Sequence, residues 1–127
     1  MPAFPYRLVC VDIDGTLTRG HGWVTLAERF GRSEAYARTQ VAYRSGAIAE
    51  DTHLSNLMAL AEGALLTEVE TVLEATPKVS GIGEGVRRLH SLGAHVALLS
   101  HNPSYVTDWY ARRFGMDAAD GVAGSPT

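Results

Sequence analysis

Leu8-Val9-Cys10-Val11-Asp12-Ile13-Asp14-Gly15-Thr16-Leu17-Thr18 is the stretch on which the reading of the fold turns. Four apolar residues in a row, two of them β-branched, predict a strand buried on both faces, of the kind parallel sheets use. That strand runs into two aspartates one residue apart. Carboxylates so close repel each other and need a cation or a proton between them, so a core strand ending in such a pair is expected to carry chemistry. Gly15 lets the backbone turn sharply, and the amides of such a turn can face an anion. Ligands of open α/β sheets bind at the carboxyl ends of strands, where this pair falls.

The run DIDGTLT, residues 12–18, resembles the first motif of the haloacid dehalogenase (HAD) superfamily of aspartate-dependent phosphohydrolases. The resemblance implies that Asp12 is the nucleophile, forming an aspartyl-phosphate, and that Asp14 is the general acid/base. It also implies Mg²⁺ held by Asp12 and Asp14, with Ile13, Gly15 and Thr16 lining the phosphate site. Dehalogenation through Asp12 is disfavoured, because Asp14 is the phosphatase-type acid/base.

Composition narrows the class. The chain has 127 residues, 46% hydrophobic and 20% charged, as in an ordinary globular protein with a real core. A net charge of −3 gives no basic footprint for nucleic acid. No apolar run reaches membrane-spanning length, and MPAFPYR lacks a signal-peptide layout. Cys10 is the single cysteine, which fits a reducing, cytoplasmic setting.

After the first strand, periodicity predicts four short helices. Trp23, Leu26, Ala27 and Phe30 form one face, stopped by Gly31. Ser33 is expected to cap a second helix reaching about Ser45, before Gly46. A third spans about Asp51 to Glu62, and Thr67-x-x-Glu70 has the form of a capping box opening the fourth, which ends before Pro77. Ile82, Val86, Leu89 and Leu92 then line a helix ending at Gly93, followed by a second buried strand over residues 94–99. Asn102-Pro103 predicts a helix start, with Asn as cap and Pro at the first helical position. That helix carries Val106, Trp109, Tyr110 and Phe114, and residues 121–124 predict a short third strand. Right-handed crossovers make the sheet parallel.

Ser100 stands at the carboxyl end of the second strand, as Asp14 does near the end of the first. Its hydroxyl, with the amides opening the next helix, can bind a phosphate oxygen. The run LLSHNP resembles the family's second motif, which implies phosphoryl binding by Ser100, with His101 and Asn102 beside it. The helical segment resembles the cap of the phosphoserine phosphatase-like branch. The expected architecture is therefore α/β: a parallel Rossmann-like HAD core with three recognisable strands, residues 1–18 and 77–127, and an inserted four-helix cap, residues 19–76.

Two departures from the family pattern bear on function. Its later motifs, a lysine and an acidic pair, have no match. The only lysine is Lys78, between cap and core, and Asp117 and Asp120 read as loop residues, so the match is to a chain cut short of those motifs. His21 and Ser55 stand where true phosphoserine phosphatases carry an acid and an arginine, so phosphoserine is not the expected substrate. The leading expectation is a Mg²⁺-dependent phosphomonoester hydrolase acting on a small phosphorylated substrate. The alternative is a catalytically impaired HAD-like module, or a fragment, that binds a phosphorylated ligand or a protein partner. In the resembling fold a further strand packs beside strand one, so residues 7–12 are expected to present an apolar edge open to self-association.

Overall fold

β1 (Leu8–Val11) lies parallel to β2 (His95–Pro103), with Leu8 opposite His95 and Val11 opposite Leu98, and β2 lies parallel to β3 (Ala118–Val122). These pairings come from a computed structural model that describes residues 3–122. Contacts divide the chain into two compact units, one made of the residues up to Arg19 together with those from Pro77 onward, the other of Gly20–Thr76.

In the first unit the strand order is β1-β2-β3. Both crossovers step the same way across the sheet, and right-handed crossovers then put both connecting helices on one face. Those helices are α5 (Ile82–Ser91) and α6 (Ser104–Phe114), and both pack on β2. Val96 and Leu98 point at them and are fully buried, with Val106 and Tyr110 beneath. Residues of opposite parity lie on the other face, where Leu8 is 57% and Leu99 46% exposed and Cys10 is exposed too.

That exposure corrects the expectation of a first strand buried on both faces. Val9 and Val11 are half-buried, whereas Leu8 and Cys10 are open, because helices cover only one side of this sheet. β1 is also an edge strand. The third strand begins at Ala118, so Asp120 is a strand residue opposite Leu99 rather than a loop residue; positions 123 and 124 lie outside the described residues. Asp117 sits just before β3 and pins it to β2. Its Oδ2 accepts from the Val96 N–H (2.7 Å) and lies 2.7 Å from His90 Nε2. The Val96 N–H first, and His90 second, hold its carboxyl below the ordinary value.

The second unit holds α1 (Gly22–Arg29), α2 (Ser33–Arg44), α3 (Glu50–Ala59) and α4 (Leu66–Ala75), where four helices were expected. Two caps differ from expectation. Arg32, not Ser33, is the residue before α2. α4 starts at Leu66, so it is Glu68, not Glu70, whose carboxylate accepts from the Leu65 N–H at 3.4 Å. Arg32 instead closes the far end of α3, its guanidinium donating to the carbonyls of Ala59 (2.7 Å), Leu60 (2.9 Å) and Glu62 (3.1 Å). These carbonyls lie at the end of α3, where regular helical partners run out.

Candidate active site

The loop after β1 is folded around one carbonyl. Ile13 O accepts from the amides of Thr16 (3.1 Å), Leu17 (2.8 Å) and Thr18 (3.1 Å), and the Ile13 side chain is 2% exposed. So tight a turn needs one residue in the left-handed region, and Gly15 supplies it at φ 78°. Asp14 forms a bridge with Thr18, and Thr18 an antiparallel one with Lys78, which ties the loop back to the chain entering α5. Asp12 is exposed and Asp14 half-buried, both past the end of β1.

Within this loop two of the amides expected to face an anion, those of Ile13 and Thr16, are already engaged. Ile13 N–H donates to Asp12 Oδ1 at 2.7 Å, and Thr16 N–H to the Ile13 carbonyl. An incoming anion would compete with Asp12 for the first. The Ile13 bond also orients the Asp12 carboxylate.

β2 departs most from expectation where it reaches the site. Asn102-Pro103 does not start a helix: β2 runs on to Pro103 and α6 begins at Ser104, with Pro103 as the residue before it. Leu99 pairs with Asp120 and Pro103 with Val122, so Ser100, His101 and Asn102 stand opposite Gly121 alone. Bulges of this kind turn side chains that regular pleating would send elsewhere. Asn102 turns inward and is 2% exposed, Ser100 is half-buried and His101 exposed.

The bulge brings the two strand ends into one hydrogen-bonded group. The Asn102 side-chain amide donates to Asp14 Oδ2 at 3.0 Å and to Ser100 Oγ at 2.7 Å, and the Asn102 backbone N–H donates to the same Oγ at 3.1 Å. Asp14, Ser100 and Asn102, all expected from sequence, therefore meet. Asp12 stands two residues from Asp14 on the same loop. Gly121 was missed as a site residue. A Cβ there would lie 2.6 Å from Asn102 O and 2.8 Å from Thr107 Oγ1, so the bulge closes only against glycine. No signal along the sequence marks that contact, since it depends on the register of β2 with β3.

The donor set suits a hard cation, because carboxylate and carbonyl oxygens are what Mg²⁺ prefers. Among the described residues no cluster of three or more His, Cys, Asp or Glu forms a metal site. Elsewhere, a groove of about 610 Å³ within the helical unit is lined by Arg32, Arg38, Thr39, Ile48, Asn56 and Glu62 among others, none of them an expected site residue.

The fold and site define an α/β protein with paired acids and a serine at the carboxyl ends of neighbouring parallel strands. A family model for haloacid dehalogenase-like hydrolases matches residues 6–126, and the chain belongs to that family. A HAD family hydrolase from Salmonella enterica serovar Typhi superposes with a TM-score of 0.83 at 16% identity, over 92% of this chain and 41% of that one. A probable phosphoserine phosphatase from Vibrio cholerae gives 0.79 at 22% identity, over 94% and 37%. A substrate-bound phosphoserine phosphatase gives 0.73 at 17%, over 98% and 60%. At such identities the likeness is one of fold, and the chain spans between 37% and 60% of these three structures. No curated protein shows significant sequence similarity to it.

Proposed function

We propose that the chain is a phosphomonoester hydrolase working through an aspartyl-phosphate on Asp12. The observation carrying this reading is the Asn102 bridge, which joins the acid next to Asp12 to the serine of the neighbouring strand. An Asp12 oxygen attacks phosphorus while the bond to the leaving oxygen breaks, and that oxygen takes its proton from Asp14. Asp14 then takes a proton from water, whose oxygen attacks phosphorus, releasing inorganic phosphate and restoring the Asp12 carboxylate. Ser100 donates to a phosphoryl oxygen, and His101 stands at the mouth of the site.

Mg²⁺ would be held by the Asp12 carboxylate and the Asp14 carbonyl, and when bound it would offset charge on the phosphoryl group. We read the α1–α4 unit, residues 19–76, as the cap that selects the leaving group. Residues 1–18 and 77–127 form the core, and the substrate is a small phosphorylated molecule. The lone thiol Cys10 suits a reducing, cytoplasmic compartment. Among the described residues no helix is long and apolar enough to cross a membrane.

Asp12→Asn should abolish Mg²⁺-dependent release of p-nitrophenolate from p-nitrophenyl phosphate, because an amide cannot form the acyl phosphate. Turnover equal to the parent's would remove Asp12 from the mechanism.

A second reading, a module that binds a phosphorylated ligand without turnover, draws on the aromatic engagement of Lys78. This sole lysine holds its ammonium over the Trp109 ring, 5.5 Å from the centroid, and 5.9 Å from that of Tyr110. Under that reading phosphate and Mg²⁺ bind, but neither the parent nor Asp12→Asn releases nitrophenolate.

A further inference from the structure

We propose that Asn102 is a positioning residue of this site: its buried amide sets Asp14 for proton transfer and turns the Ser100 hydroxyl into a dedicated donor. This rests on the phosphomonoesterase reading above. A primary amide has two N–H groups, and here both find acceptors, Asp14 Oδ2 at 3.0 Å and Ser100 Oγ at 2.7 Å. With the amide set this way its NH₂ end meets both acceptors.

Ser100 is constrained in turn. Its Oγ accepts twice from Asn102, once from the side chain and once from the backbone N–H at 3.1 Å. A hydroxyl has two acceptor positions and one proton, so what remains is its O–H. A group meant to meet a phosphoryl oxygen needs that polarity. The same side chain ties one Asp14 carboxylate oxygen to the group that also holds Ser100. Asn102 is 2% exposed and sits on a bulge that closes only against Gly121, so it cannot swing away to solvent. It reaches the reacting atoms through Asp14 and Ser100.

A filler amide and a positioning amide differ in which step they affect. Nitrophenolate leaves with little help from an acid, so formation of the aspartyl-phosphate depends weakly on Asp14, whereas its hydrolysis needs Asp14 as base. Rapid-mixing kinetics with p-nitrophenyl phosphate and Mg²⁺ separate the two. Asn102→Ala should lower first-turnover release by only a few-fold, the share that passes through Ser100, and lower steady-state kcat on the order of ten- to a hundredfold, so that a burst appears. Asn102→Ser, which keeps a small polar group, should fall between. In an Asp14→Asn background the Asn102→Ala change should lower kcat by only about the factor seen in the first turnover, because the share of its effect that passes through Asp14 is gone and only the share through Ser100 remains.

Equal loss in both phases, or losses that multiply in the double variant, would overturn the proposal. Absence of Asp12-dependent turnover in the parent would instead overturn the phosphomonoesterase reading. The Asn102–Asp14 tie is then read from thermal unfolding of the parent, Asn102→Ala, Asp14→Asn and the double variant. Strictly additive shifts in Tm would refute the tie itself, and coupled shifts would uphold it.

Discussion

Gly121 shows how a position without a side chain can govern a site. A methyl group there would meet a backbone oxygen at 2.6 Å and the Thr107 side chain at 2.8 Å, and neither is the loose end of a flexible chain. Overpacking of this kind costs on the order of 1–3 kcal/mol. Gly121→Ala should therefore lower Tm, and turnover should fall as well, because the displaced atom belongs to Asn102. A variant with parent Tm and parent activity would show that the bulge yields freely. Asp12, Asp14 and Ser100 were legible in the sequence because polar residues ending apolar strands stand out. Asn102 stood out too, but as a helix cap, a place that Pro103 takes. An Asn-Pro pair starts helices by local preference, and only the pairing of β2 with β3, set by residues far along the chain, holds it in a strand.

Helix α2 packs on α3 through a polar contact that periodicity does not reveal. Thr39 Oγ1 lies 3.0 Å from His53 Nδ1 and accepts from Asn56 Nδ2 at 3.1 Å, and the Tyr43 ring stacks on His53 at 4.5 Å. His53 is 7% exposed. Burial pushes its pKa below the ordinary 6.5, with Glu50 opposing more weakly. The folded state therefore keeps His53 neutral where the unfolded chain would protonate it. The stability tied to this residue is complete above about pH 6.5 and is lost as pH falls through that value toward the lower folded one. Urea midpoints should accordingly drop between about pH 7 and about pH 5, and His53→Gln should flatten that slope. An unchanged slope would mean that other groups govern the acid limb. The helices themselves were legible from apolar spacing and glycine stops. The caps were not, because Arg32 serves α3 from another helix and Glu68 against Glu70 is a matter of where the first turn locks.

At the scale of the whole molecule, the sheet is covered on one side and open at β1. Among the described residues, Leu8, Cys10 and Leu99 share the uncovered face and β1 has a neighbour on only one side. Such an edge is a template for pairing with another chain, and apolar surface beside it adds to the attraction. We expect concentration-dependent self-association in light scattering, relieved by Leu8→Lys. A parent chain that stays monomeric at high concentration would show that something blunts this edge. The four-residue apolar run could not disclose the bare face, because it reads alike whether one or both sides are covered. What decides the matter is that both crossovers step in one direction.

The bridge between Thr18 and Lys78 has a meaning in terms of chain connectivity. Arg19 N–H donates to the Pro77 carbonyl at 3.3 Å and Val79 N–H to the Leu17 carbonyl at 2.9 Å, so the chain leaves and re-enters the sheet unit at one point. Gly20–Thr76 is a detour whose two ends are already joined. Closing a loop costs entropy that grows only with the logarithm of its length, roughly 0.6 kcal/mol for each doubling. Once that closure is made, the length and content of the detour are almost free to vary. The strand ends that carry Asp12, Asp14 and Ser100 would keep their register through such change, so under the proposed function specificity could be rewritten in one segment while the chemistry stays in the other.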